Sequence, residues 1–118
     1  MSLRGDLITV LQGVDGLVPA TRKRPITIER PSWEVLVDGY GTHGNTLKQQ
    51  CTVRLWTGLD DDPLAEGMFE RWSEIVLAAL LEQADCMLPA GPFQRLPPAN
   101  PVGYAVEFVV GEIQVVEA

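Results

Sequence analysis

Residues 39–44, Gly-Tyr-Gly-Thr-His-Gly, match the G-x-G-x-x-G spacing of a dinucleotide-binding turn, and the apolar run 33–37 leads directly into them. That chemistry needs a helix to begin at the glycines, so that its first amides can hold a pyrophosphate, within a unit that ends in a parallel strand. The residues that follow do not supply one. Leu47, Cys51, Val53 and Leu55 alternate with the polar Lys48, Gln50, Thr52 and Arg54. This is the period of a half-buried strand, and a helical reading would turn Val53 away from the other three. The glycines therefore read as the loop of a β-hairpin, where Gly and Asn45 adopt positive φ at little cost, and no cofactor is expected.

The remaining reactive groups are sparse. His43 is the only histidine, so no histidine-based metal cluster is available and any catalytic triad would have to use it. Ser2, Ser32 and Ser73 sit in no nucleophile elbow. Adjacent carboxylates at Asp60, Asp61 and Asp62 suit a hard cation such as Mg²⁺, but a helix cap followed by Pro63 in the first turn explains them as well. Cys51 and Cys86 are far apart, fit no C-x-x-C pattern, and read as small buried hydrophobes in a reducing compartment. The sequence predicts neither an active site nor a metal centre, and hence not an enzyme.

The elements that surround these groups come from one stretch of 118 residues, read as a single domain over 1–118. A net charge of −7 argues against a reader of DNA or RNA, which needs cations to neutralise phosphates. The start of the chain lacks the basic opening and continuous apolar core of a signal peptide. No segment is long and apolar enough to cross a bilayer, so a cytosolic chain, or one assembled there, is expected.

Ser2 caps a predicted helix carrying Leu3, Leu7, Val10, Leu11 and Val14, which ends at Gly13 to Gly16. The polar connection that follows holds Arg22, Lys23 and Arg24, a run suited to an acidic partner, to a DNA backbone or simply to solvent. Residues 25–31 read as a short edge strand between Pro25 and Pro31. The two hairpin strands come next. A second helix then carries Leu64, Met68, Trp72, Ile75 and Ala79 with Phe69, Val76 and Leu80, opposite Glu66, Glu70 and Glu74. Residues 85–103 contain five of the nine prolines and read as a long arm without periodicity. A terminal strand closes the chain, with Tyr104, Val106, Phe108 and Val110 on one face, a bulge at Gly111, and Ile113 and Val115 beyond it. The expected fold class is α+β: a single antiparallel-rich sheet of about four strands with two helices packed on one face, in the order α-β-β-β-α-β.

Two surfaces stand out as candidate contacts. Leu77 and Leu81 lie one turn apart opposite the core stripe, and Met87, Leu88, Phe93 and Leu96 of the proline-rich arm can join them in an apolar surface. Either the arm folds back and buries these leucines within one subunit, or a neighbouring subunit covers them. The second surface is the hairpin tip, with Tyr40, Thr42, His43 and Asn45.

The opening stretch 1–18, the run 31–40 into a glycine hairpin, residues 53–63 leading into the helix of 65–83, and the strand 104–118 together resemble the tail terminator, or tail completion, proteins of long-tailed bacteriophages, especially those infecting actinobacteria. The likeness covers almost the whole chain and is one of length, element order and texture, without a motif that transfers residue by residue. It implies an α+β fold and a structural role. Such proteins form a ring, usually of six copies, on the head-proximal end of the tail tube. The ring stops tube polymerisation and offers a docking face to the head connector, so the implied location is the neck end of the virion tail. The implied partners are further copies of the chain, the tube protein and the connector. DNA would pass through the lumen without specific binding, and a net negative charge suits such a passage. Another neck component, such as a head-closure or connector protein, or a small non-viral binding or immunity domain, is the alternative.

Overall fold

The computed structural model describes residues 2–20, 31–43, 46–60, 63–83, 85, 87–100 and 107–118. Helix α1 (Leu3–Gln12) opens the chain, followed by β1 (Val18–Pro19), β2 (Ser32–His43), β3 (Thr46–Leu59), α2 (Ala65–Leu81), β4 (Met87–Arg95) and β5 (Phe108–Glu117). The strands form one sheet in the order β1-β2-β3-β5-β4. Only the short β1–β2 pairing is parallel. The α+β class holds, with five strands and a mixed sheet. The expected strand over 25–31 falls almost wholly outside the described residues, and the edge position beside β2 is held instead by Val18 and Pro19.

Both helices pack on the same face of the sheet. Leu3, Leu7 and Leu11 recur every four residues along α1 and are fully buried, each contributing about 1.5–3 kcal/mol of apolar burial. They share a core with Val76 and Leu80 of α2 and with Trp33, Val35, Cys51, Val53, Leu55, Met87, Ile113 and Val115 of the sheet. The Ser2 hydroxyl caps α1 as expected, accepting the Gly5 amide at 3.0 Å. The far face of the sheet is polar along its middle. Arg54 bridges Glu34 at 3.1 Å and Glu112 at 3.4 Å, and beside them Thr52 donates to Asp38 at 2.7 Å and accepts from Gln114 at 2.9 Å. At one end this face is apolar: Trp56 meets Phe108 edge-on at 6.2 Å, with Val110 alongside and Leu96 and Ala99 packed over them.

Three expectations are corrected. Residues 85–103 are not a structureless arm, because 87–95 form the edge strand β4. Its prolines are tolerated because a sheet edge requires only one side of the strand to pair, and the register shifts between Ala90 and Gln94. Gly39 and Gly41 lie in strand β2 rather than in the hairpin loop. Gly39, at φ 138°, follows a register shift in which Asp38 has no partner, a backbone state that favours glycine.

Gly111 is not a bulge. It pairs in register with Leu55 on one side and Arg95 on the other. Strands β3 and β4 both run antiparallel to β5, so α2, which joins them, crosses over β5. At the crossing a Cβ on Gly111 would lie 2.2 Å from Phe69 Cε2. The apolar residues change face along β5 because Leu96 and Ala99 cover its first residues on the far side, and no extra residue is needed.

Gly111→Ala is expected to cost about 1–3 kcal/mol, because the Phe69 ring must leave its seat. Combined with Phe69→Leu the loss should be clearly less than additive. Urea denaturation of the two single variants and the double variant measures this, and a neutral Gly111→Ala would contradict so close an approach.

Candidate assembly surfaces

The hairpin outruns the sheet. Strand β3 pairs with β5 only from Gln50 onward, whereas its pairing with β2 continues through Gly41–Lys48 and Thr42–Leu47 to His43–Thr46. The first four steps of β3 thus form a two-stranded ribbon, about 14 Å long at 3.4 Å per residue. Thr42 and His43 lie in its backbone, and Asn45 falls outside the described residues. Tyr40 stands at the root of the ribbon, 63% exposed.

Gln49 fastens this root to the body. Its buried side chain accepts the Arg4 amide at the start of α1 at 3.1 Å and donates to the Tyr40 hydroxyl at 3.4 Å. Its backbone amide donates to Glu117 Oε2 at 3.0 Å, and the Lys48 ammonium reaches the carbonyl of Ala118 at 2.8 Å. The first helix and the end of the last strand therefore hold the base from which the ribbon projects. Gln49 interrupts the apolar series of Leu47, Cys51, Val53 and Leu55 along β3. That break in an apolar alternation was the available signal for it.

The six apolar candidates do not form one surface. Strand β4 alternates, so Met87 and Phe93 face the helices and are buried, while Leu88 faces the other way beside Val116 and is 51% exposed. Leu96 packs on the Trp56–Phe108 cluster of the far face. Leu77 is half-buried against the main core, and Leu81, one turn on, is 55% exposed. Among these residues the covering of Leu77, Met87 and Phe93 is internal to the subunit. Leu81 and Leu88 remain outside, on opposite sides of the sheet.

Between α2 and β4 runs an open groove of about 450 Å³. Phe69, Leu77 and Phe93 give it an apolar lining, and Glu70 and Glu74 stand along its helical side. Arg95 closes one end, held by Glu66 and, at 3.8 Å, by Asp60. This groove was not legible in the sequence, because its second wall is the strand hidden in the proline-rich stretch. The spacing of Glu66, Glu70 and Glu74 was legible only as the polar face of a helix.

Among the described residues no three His, Cys, Asp or Glu side chains converge on a point that could hold a metal ion. Burial pushes the Cys51 thiol above its usual pKa, with the Asp38 carboxylate adding to the shift and Arg4 opposing it. In a Cys86→Ser background Cys51 should stay unlabelled by a thiol reagent at neutral pH until the chain unfolds; rapid labelling of the native protein would refute its burial.

Leu81→Glu is expected to change stability by less than about 0.5 kcal/mol, whereas Met87→Glu, which buries a carboxylate without a partner, should prevent folding or cost several kcal/mol. Thermal melts of the two variants check this, and equal losses would contradict the alternation of β4. No described helix is long and apolar enough to cross a membrane. No protein-family model matches the sequence, and no curated protein matches it significantly.

Proposed function

We propose that the chain is a structural subunit that works by assembly, and specifically a tail terminator: a ring, of about six copies in the family it resembles, that caps the head-proximal end of a phage tail tube. The observation that carries the assembly reading is the projecting ribbon. Two strands alone are marginal in water, and a ribbon that leaves its sheet gains its stability from whatever it lies against. Its root is nevertheless fixed by the Gln49 hydrogen bonds, so it is presented at a defined angle. A rigid sheet carrying a protruding hairpin suits contact with a tube, a connector or the next subunit.

The tail-terminator assignment rests in addition on the resemblance in length, element order and texture. The α+β sheet with two helices on one face agrees with the fold that the resemblance implies. Carboxylates at Glu34, Asp38 and Glu112 on the polar face of the sheet, with Arg54 bridging Glu34 and Glu112, are compatible with a surface that DNA passes without adhering. A major tail-tube gene immediately downstream of the gene for this chain is the expected genomic setting.

Replacing residues 41–48 by Asn-Gly tests the ribbon. Tyr40 and Gln49 are opposite each other, so the two new residues close a tight type I′ turn and remove the projection. The shortened protein should fold, with a melting temperature within a few degrees of the parent, and fail to form the rings or tube caps that negative-stain microscopy finds for the parent. A parent that stays monomeric or dimeric, alone and with the neighbouring tube protein, overturns the ring reading. Rings that persist in the shortened protein remove the ribbon from it.

A further inference from the structure

We propose that the α2–β4 groove receives the basic run Arg22-Lys23-Arg24 of a second copy of this chain, in a head-to-tail contact between opposite edges of the sheet. This rests on the assembly reading above and names the contact through which copies join. The groove asks for a particular chemistry. Phe69, Leu77 and Phe93 offer an apolar seat, and Glu70 and Glu74 flank it from exposed positions one helical turn apart. Neither carboxylate has an ion-pair partner among the described residues, whereas Arg95 is already held by Glu66 and Asp60. The groove therefore fits a segment that brings cations and apolar side chains together.

The chain itself contains such a segment. Residues 22–24 are its only adjacent cations, and Pro25, Ile26 and Ile28 follow immediately. The spacing is compatible as well. Side chains at i and i+4 on a helix are roughly 5–6 Å apart, and alternate residues of an extended chain roughly 6–7 Å. Arg22 and Arg24 in an extended segment can thus each meet one of the two glutamates, with the isoleucines directed at the apolar seat.

The run is bracketed by residues that lie at the sheet edge opposite the groove. It leaves beside β1, where the Ala20 amide donates to the Trp33 carbonyl at 2.8 Å, and returns at Pro31, whose carbonyl accepts the Val18 amide at 3.2 Å. Strand β4 is at the opposite edge of the sheet, three strand spacings or about 14 Å from β2, and both helices pack on the intervening face. A donor segment at one edge and an acceptor groove at the other form a heterologous contact, which repeats from copy to copy and closes into a ring when the rotation allows.

Sedimentation velocity on the full chain over a range of concentrations tests the contact, using two charge reversals. One variant carries Glu70→Lys and Glu74→Lys, the other Arg22→Glu, Lys23→Glu and Arg24→Glu. Each alone should keep its fold and self-associate at least about tenfold more weakly than the parent, whose own association should weaken with salt. An equimolar mixture should recover association, since every groove then meets a run of opposite sign. Association unchanged by either reversal, or not recovered in the mixture, overturns this contact and leaves the assembly reading standing. A run that binds duplex DNA while self-association ignores its reversal also overturns it. A parent that remains monomeric at every concentration and with the tube protein present removes both.

Discussion

The position of one aromatic ring governs much of this fold. Strand β5 lies between β3 and β4 and runs antiparallel to both, so the helix joining those two strands has to pass over it. The passage is close because β5 has no side chain at Gly111, and Phe69 of α2 occupies the space that a Cβ would take. With the helix seated there, Arg95, opposite Gly111 on β4, emerges beside the first turn of α2 and meets Glu66 and Asp60. The same seating puts Leu77 and Phe93 on the two walls of the groove left between helix and edge strand. A larger residue at position 111 would lift the helix, and the groove would lose the ring that forms its floor.

Much of this architecture could be read from residue patterns, and the places where reading failed have physical causes. The Ser2 cap, the Leu3-Leu7-Leu11 stripe and the alternation through Cys51, Val53 and Leu55 are local signals, and each lies where its period placed it. Strand β4 lacks such a signal. With Pro89, Gly91 and Pro92 inside nine residues, it is a strand only because β5 pairs with it and its far edge requires no donors. Without it the covering of Leu77 stayed open between the chain's own arm and a neighbouring subunit, since that residue is out of place on α2 only if nothing lies beside the helix. The face change along β5 was likewise credited to a bulge at Gly111, because the covering by Leu96 and Ala99 is a tertiary fact. Of the candidate contact residues, exposure at Tyr40, Leu81 and Leu88 was legible; which face of the sheet each occupies was not.

The two edges of the sheet differ in a way that bears on assembly. On β4 two prolines and a register shift interrupt the outer row of amides, which discourages another strand from pairing there. At the opposite edge β1 pairs with β2 only at Ser32 and Trp33, and Leu36, Val37 and Tyr40 further along β2 are exposed. Two copies related by a two-fold axis through β4 would bring these interrupted edges together, with little to gain. They would also bring the exposed carboxylates Glu70 and Glu74 of two α2 helices closer. Like charge on like charge is unfavourable across such an interface.

Contact between unlike edges has neither defect. It sets the acidic, apolar-floored side of one copy against the side from which the chain's only cationic run departs, and an overall charge of −7 makes that run the strongest local exception to the repulsion between copies. The ribbon adds a constraint of a different kind. It projects along the strand direction, whereas the edges face sideways, so edge contacts can extend around a ring while the ribbons all point toward one end of it. A ring with one distinguished end is the geometry that a cap requires, since one face must meet a tube and the other must meet something else. On the proposed reading, the long hairpin and the unlike edges are two requirements of the same assembly, met by strand length in one case and by charge placement in the other.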